Sequence, residues 1–166
     1  MNNRVIVCNA GPLIALSLVR NLDLLHRLYD RVRVPEAVVH EVVASGTGRA
    51  GALEVEAASW LEQVSLDAPP EPLLAKELGA GEAAVITLAH RFSATLVLLD
   101  ERRARRIAEQ AYGLWVKGSA GILIAAKRAN LIPAVKPLLT AMADQGYFLS
   151  RRLIERACQE VGETLE

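Results

Sequence analysis

Four side chains in this sequence have the type and spacing to do chemistry together. Asn9 directly follows the short apolar segment 5–8, and Asp100 directly follows the apolar run 96–99. Glu82 begins a predicted helix just before that second run, and Glu41 lies in another predicted helix among valines. Because parallel strands end at the same edge of a sheet, polar residues just past their carboxyl ends meet in one crevice. We therefore expect Asn9, Glu41, Glu82 and Asp100 to converge.

Converging carboxylates suggest a metal-dependent reaction. Several negative charges at one place repel each other and stay ionised at neutral pH only with a compensating cation. Mg²⁺ or Mn²⁺ is the natural candidate, because both prefer hard oxygen ligands and leave positions for water or phosphate. Such an ion polarises a phosphodiester and lowers the pKa of its water, so the chemistry that we predict is phosphodiester hydrolysis.

Each of these residues also has an ordinary structural interpretation. Asp100 would serve equally well as the N-cap of the next helix. Glu82 near a helix start would interact favourably with the helix dipole, and Glu41 would be a solvated surface charge. Asn9 would cap the turn at residues 11–12. The functional hypothesis therefore depends on convergence rather than on any single residue.

A basic run begins two residues after Asp100, at positions 102–106. Arg102 and Arg105 are predicted to bind nucleic-acid phosphates from the first turns of a helix. Arg103 and Arg106 are better explained as a solvated helix face, where Glu101 and Glu109 would pair with arginines. The three histidines share no spacing typical of metal ligands.

Hydrophobic patterning predicts alternating strands and helices, which is typical of a three-layer α/β/α fold around a short parallel sheet. The predicted strands are 4–8, 31–34, 64–66 (an edge strand), 96–99 and 114–116. The predicted helices are 12–29 with a break at Asn21 and Asp23, 35–43, 52–61, 82–92, 101–112, 120–130, 134–144 and 150–160. Residues 45–51 are predicted to be a mobile loop, 67–72 a proline-rich turn, and 163–166 a frayed end.

Composition limits the class of protein. The 166 residues, 52% of them hydrophobic, suit a single domain over 1–166 with an aliphatic core. Nineteen basic and nineteen acidic side chains cancel, so any contact with a polyanion must come from a local patch. Cys8 and Cys158 show no metal or redox spacing and are predicted to be free, buried thiols. The first apolar run is too short for a membrane span, so we expect a cytoplasmic protein.

Taken together in their order, five motifs resemble those of the PIN-domain family, and most closely a prokaryotic PIN-like branch of unknown function. They are VCNAGPLIAL at 7–16, VPEAV with Glu41-Val42, GEAA at 81–84, LLDE at 98–101 with Ala104-Arg105, and GSAGIL at 118–123. The resemblance extends from about Val5 to Val161. It implies a PIN-like fold in which acidic residues bind one or two Mg²⁺ or Mn²⁺ ions and cleave RNA, often as the toxin of a toxin-antitoxin pair.

Carried over by position, the family's acidic set falls on Asn9, Glu41, Glu82 and Asp100, with Ser119 as a polar helper that would contact nucleic acid. Family members usually have an aspartate where this chain has Asn9. An amide is an uncharged ligand that binds a divalent ion more weakly and cannot act as a base. The substitution therefore weakens the expected metal site and the expected activity.

Three functions remain open from the sequence. The first is a metal-dependent endoribonuclease, either a toxin with an antitoxin protein as partner or a stand-alone enzyme. The second is a catalytically inactive PIN-like module that binds RNA or protein. The third is a flavodoxin-like α/β domain that binds a small molecule or a nucleotide, which ranks last because no GxGxxG follows a strand. The apolar helices near the carboxyl terminus further suggest a homodimer.

Overall fold

The computed structural model describes residues 3–44 and 51–165 of the chain. Within them, five parallel strands form one sheet in the order β3-β2-β1-β4-β5. The strands are β1 (Ile6–Cys8), β2 (Val32–Pro35), β3 (Leu61–Val64), β4 (Leu96–Leu98) and β5 (Val116–Lys117). The sheet is short and entirely parallel, as the sequence pattern predicts.

Helices cover both faces of the sheet, which confirms the predicted three-layer α/β/α architecture. They are α1 (Ala10–Leu18), α2 (Leu24–Tyr29), α3 (Glu36–Ala44), α4 (Ala52–Ala57), α5 (Pro72–Glu77), α6 (Ala80–Arg91), α7 (Arg102–Tyr112), α8 (Ser119–Arg128), α9 (Lys136–Asp144) and α10 (Arg151–Glu160). In the part of the chain that the structure describes, none of these helices has the length and apolar character needed to cross a bilayer.

The central strands β1 and β4 are apolar because helices cover them on both sides. All three residues of β1 are buried, and β1 pairs with β4 so that Cys8 lies opposite Leu98. The ladder continues one step past β1, where the Asn9 N–H donates to the Leu98 carbonyl oxygen at 2.9 Å. This register brings Asn9 and the residues after β4 to the same edge of the sheet.

Two predicted elements were wrong near the edge strand β3. The helix from residue 52 ends at Ala57 rather than at 61, and β3 occupies Leu61–Val64 instead of 64–66. An edge strand that is only half buried has a weak hydrophobic pattern, and its register depends on pairing with β2, where Val32 lies opposite Leu61. Such pairing cannot be seen in the local sequence.

The proline-rich segment also contains a helix that the sequence pattern did not indicate. Pro72 occupies the first turn of α5, where proline is well tolerated, and Leu74 packs into the core with only 1% of its surface exposed. A helix of six residues has too few positions to show helical periodicity. Of the predicted loop at 45–51, residues 45–50 lie outside the described residues.

Both cysteines are free and buried, as predicted from their spacing. Cys8 is completely inaccessible at the centre of the sheet, and Cys158 lies on the buried side of α10. Burial raises the pKa of the Cys8 thiol well above its ordinary value, and the nearby charge of Asp100 raises it further. Cys8 therefore behaves as a core residue and not as a nucleophile.

The end of the chain is held in place at Glu163, so the prediction that residues 163–166 are frayed is wrong at its first position. The Glu163 carboxylate accepts hydrogen bonds from Lys127 Nζ at 2.7 Å, from the Val135 N–H at 2.7 Å and from the Lys136 N–H at 2.9 Å. Burial alone would raise the pKa of Glu163, but these three donors outweigh it and lower the pKa below 4.5. One carboxylate thus links α8, the start of α9 and the tail.

We expect Glu163→Gln to lower the free energy of unfolding at pH 7 by about 1–3 kcal/mol, because charge-assisted hydrogen bonds to α8 and α9 are weakened. Since the folded pKa is depressed, this stabilisation is present above the unfolded pKa and is lost as pH falls through the folded pKa. Urea denaturation of both proteins at pH 7 and at pH 3 measures the difference. Glu160→Gln, at an exposed pair with Arg128, is the control and should change stability little. An equal effect of both substitutions would contradict the anchoring role.

Candidate active site

The side chains predicted to do chemistry lie along the carboxyl edge of the sheet, in the order of the strands that position them. Glu41 is on α3, which follows β2, and Asn9 follows β1. Asp100 comes two residues after β4, and Ser119 begins α8 directly after Gly118 and β5. This edge is the place where parallel α/β sheets bind their ligands.

Asn9 occupies the N-cap position of α1, but its side chain makes no capping hydrogen bond. Only 7% of the residue is exposed, and its Oδ1 atom is buried with no hydrogen-bond partner among the described residues. The interpretation of Asn9 as a simple cap is therefore wrong. A buried amide oxygen without a partner is energetically unfavourable, so this oxygen is available to an ordered water or to a ligand.

Gly81 is the point at which Asn9 and Glu41 approach each other. A Cβ atom at residue 81 would overlap with Glu41 Oε2 and would lie 3.5 Å from Asn9 Oδ1. The glycine in the GEAA motif thus leaves the space into which both oxygens point. Val38 Cγ2, at 3.4 Å from the same position, forms the apolar side of this space.

Glu82, the next residue, has a structural role that the sequence already suggested. Its Oε2 atom accepts a hydrogen bond from the Gly79 N–H at 3.0 Å, so it caps the first turn of α6. Its negative charge is nevertheless felt by Glu41. Burial raises the pKa of Glu41 above its ordinary value, and the charge of Glu82 raises it further. The Glu41 and Glu82 carboxylates are therefore close enough to interact electrostatically.

Asp100 is fixed in orientation by three donors. Its Oδ1 accepts from the Ser119 N–H at 2.6 Å, and its Oδ2 accepts from Ser119 Oγ at 2.5 Å and from the Tyr147 hydroxyl. Ser119 is fully buried, so its hydroxyl reaches Asp100 and not the protein surface. Burial raises the pKa of Tyr147, and the negative charge of Asp100 raises it further, so the phenol remains a proton donor.

Two further glycines make room for this arrangement. A Cβ at residue 118 would lie 2.7 Å from Asp100 Oδ1 and 3.0 Å from Arg105 Nη1. A Cβ at residue 11 would lie 2.8 Å from the Tyr147 hydroxyl oxygen. The distances to Asp100 Oδ1 and to the Tyr147 hydroxyl are shorter than real Cβ contacts allow, so a side chain at either position would displace Asp100 or Tyr147.

The helix cap after β4 is Glu101 and not Asp100. Its carboxylate accepts from the Arg103 N–H at 2.9 Å and from the Ala104 N–H at 2.8 Å. The ordinary structural interpretation of Asp100 as an N-cap is therefore wrong. Because Glu101 satisfies the helix start, Asp100 is directed to the sheet edge instead.

The donor set fits a hard divalent ion in its chemistry, since it consists of carboxylate oxygens and one buried amide oxygen. The side chains are distributed unevenly, however. Asn9, Glu41 and Glu82 lie together near Gly81, while Asp100 is held on the β4 and β5 side. Across residues 3–44 and 51–165, no three His, Cys, Asp or Glu side chains are grouped closely enough to hold a metal ion. The residues that would hold one are Asn9 and the acids on either side of it.

Tyr147 is a part of this site that the sequence did not reveal. It lies in the connection between α9 and α10, where no strand end directs it to the sheet edge. Its position depends on the packing of α9, and no pattern around residues 146–149 indicates it. The same connection contains Phe148, whose side chain faces solvent.

These features define a class of protein: an α/β/α domain that gathers acidic and amide side chains at the carboxyl edge of a parallel sheet. A comparison with protein families matches residues 5–163 to a family of unknown function described as a PIN domain. The chain therefore belongs to the PIN-domain family, as its motifs suggested. No curated protein and no solved structure matched the chain.

Glu82→Gln is expected to lower the pKa of Glu41, because it removes the negative charge that disfavours ionisation of Glu41. The pKa should stay above its ordinary value, since the burial of Glu41 is unchanged. A titration of the Glu41 carboxyl carbon by NMR, in the presence of a chelator, measures the shift. Glutamine can still accept the hydrogen bond from Gly79, so α6 should remain intact.

Glu56→Gln is the matched control, because Glu56 is an exposed acid on α4. It should leave the titration of Glu41 unchanged. An unchanged Glu41 titration in the Glu82 variant would show that the two carboxylates are too far apart to act on one ion.

Proposed function

We propose that this PIN-domain protein is a metal-dependent endoribonuclease, which hydrolyses RNA phosphodiesters with Mg²⁺ or Mn²⁺. The single observation that supports the proposal most directly is the buried Asn9 Oδ1, which has no partner in the described residues and points with Glu41 into the space above Gly81. A cation would satisfy that oxygen and neutralise the adjacent acids. Membership of the PIN-domain family supports a nuclease-like role.

In this proposal, the ion would be held by Asn9, Glu82 and Asp100. Glu41 would be the general base that accepts a proton. When bound, a divalent ion polarises the phosphodiester and promotes ionisation of water. Glu41, whose pKa is raised by burial and by the charge of Glu82, accepts a proton from the attacking water. Ser119 and Tyr147 keep Asp100 in one orientation, so they are positioning residues.

Glu41→Gln is expected to reduce RNA cleavage by about 10²–10⁴-fold, because an amide cannot accept the proton. The assay uses a fluorescent single-stranded RNA with Mg²⁺ or Mn²⁺, and products are separated on a gel. Glu56→Gln provides the control with the same chemical change at an exposed site. Equal rates for the Glu41 variant and the unmodified protein would rule out this role for Glu41.

Asn9→Asp is expected to tighten Mn²⁺ binding by at least about tenfold, because a charged carboxylate oxygen attracts a divalent ion more strongly than a neutral amide oxygen does. Calorimetry measures the affinity without relying on activity. Asn130→Asp adds the same charge at an exposed position after α8 and should have no effect. An unchanged Mn²⁺ affinity in the Asn9 variant would show that residue 9 is not a ligand.

A second candidate function is a catalytically inactive PIN-like module that binds RNA or a protein. The neutral Asn9 and the separation of Asp100 from the pair Glu41 and Glu82 favour it. RNA binding that is insensitive to chelator, without cleavage under either ion, would support this alternative. Cleavage that appears only after Asn9→Asp would show that the scaffold is competent and that residue 9 limits it.

We also propose that the protein acts as a toxin with an antitoxin protein partner and that it forms a homodimer. The toxin proposal rests on the family resemblance, and the homodimer proposal rests on the apolar residues that the helices near the carboxyl terminus contain. The mass in solution tests the second, and a monomeric mass would contradict it. Co-purification with the product of an adjacent small gene tests the first.

A further inference from the structure

A cleft of about 790 Å³ runs between α7 and the start of α10, and Asp100 lies on its wall. Arginines from both helices line it. They are Arg102, Arg105 and Arg106 on α7 and Arg152 and Arg156 on α10. Residues of α7 and α10 are distant in sequence, and they come to line one cleft because α10 packs against α8 and α9 while α7 packs against α6 and β5.

These five arginines carry uncompensated charge. Within the described residues, none of the five has a carboxylate partner within 4.0 Å, whereas neighbouring Arg103 pairs with Glu77 and Arg151 pairs with Glu155. The acidic side chains that line the cleft are Asp100 and Glu109. A protein with a net charge of zero therefore concentrates positive charge in one place. Such a place attracts a polyanion.

Phe148 adds an apolar surface to this cleft. Its side chain is 90% exposed, although the adjacent Tyr147 is half buried and bonded to Asp100. Exposing a large aromatic ring next to arginines has no benefit for folding. A ring in this setting is a platform on which an unpaired base can stack.

We propose that the cleft binds a single-stranded segment of RNA and leads it to Asp100. The five arginines contact successive phosphates, and Phe148 stacks on one base. Arg105 is the innermost of them, since its Nη1 and Asp100 Oδ1 both border Gly118. The identity of the ligand as RNA rests on the proposed nuclease function, while the location and the chemistry rest on the cleft itself.

The side chains favour unpaired RNA over an acidic peptide or a duplex. The carboxylates of an acidic peptide would pair with the arginines, but they would make no contact that explains the exposed ring of Phe148. In a duplex the bases are already stacked on each other and offer no free face to a protein ring. Guanidinium groups beside an aromatic ring match a strand that alternates charged phosphates with planar bases.

The test measures binding without cleavage. Fluorescence anisotropy of a labelled single-stranded RNA, in EDTA and at low salt, compares the unmodified protein with the double variant Arg152→Glu and Arg156→Glu. We expect at least a tenfold loss of affinity, and a shallower dependence of log K on log salt by about 1–2 units for two lost phosphate contacts. The control is Arg27→Glu with Arg31→Glu, which makes the same charge change at the opposite edge of the sheet.

Phe148→Ala separates stacking from charge. The ring is exposed, so the variant should fold normally, and it should lose about 5- to 50-fold in affinity with an unchanged salt dependence. A blunt duplex of the same sequence should bind more weakly than the single strand. Duplex binding that equals single-strand binding would overturn the assignment, and so would equal RNA affinities for the α10 double variant and its control.

The outcome also distinguishes this inference from the proposed function. Mn²⁺ affinity of the Phe148→Ala variant should equal that of the unmodified protein, because this substitution changes no charge near the acids. RNA binding in the cleft without cleavage under any ion would remove the nuclease proposal and leave the cleft assignment intact. If the α10 double variant cleaves RNA with the same KM as the unmodified protein, the cleft assignment would be overturned and the nuclease proposal would stand.

Discussion

The parallel pairing of β1 with β4 is the constraint on which the whole edge depends. It sets Cys8 opposite Leu98, and the Asn9 N–H extends the ladder by donating to the Leu98 carbonyl oxygen at 2.9 Å. Because of this register, the amide of Asn9 and the carboxylate of Asp100 emerge at one edge. A slip of β1 by one residue against β4 would turn Asn9 to the opposite face of the sheet and separate it from Asp100.

Space at this edge comes from glycine rather than from flexibility. Gly11, Gly81 and Gly118 each lie where a Cβ would meet an oxygen of Glu41, Asp100 or Tyr147. All three belong to the motifs of this chain on which its resemblance to the PIN-domain family is based. In this chain the glycines have a steric role, because the polar groups approach the backbone more closely than a side chain would permit.

The sequence was sufficient for the fold class and the family, and the topological rule for strand ends was sufficient to bring Asn9 and Asp100 to one edge of the sheet. It was insufficient where a position depends on packing between distant elements. Tyr147 lies in the α9–α10 connection, and the register of β3 depends on β2. The start of α7 was predicted closely, but the sequence could not show that Glu101 rather than Asp100 caps this helix.

The placement of the arginines has a consequence for how this neutral molecule behaves in bulk. The protein has equal numbers of basic and acidic side chains and an isoelectric point of about 6.8. These values alone predict weak binding to ion-exchange columns near neutral pH. A one-sided arginine cleft instead gives the protein an electric dipole, which orients it before contact. It should therefore be retained on phosphocellulose or heparin columns near neutral pH. From its net charge alone, we would expect it in the flow-through.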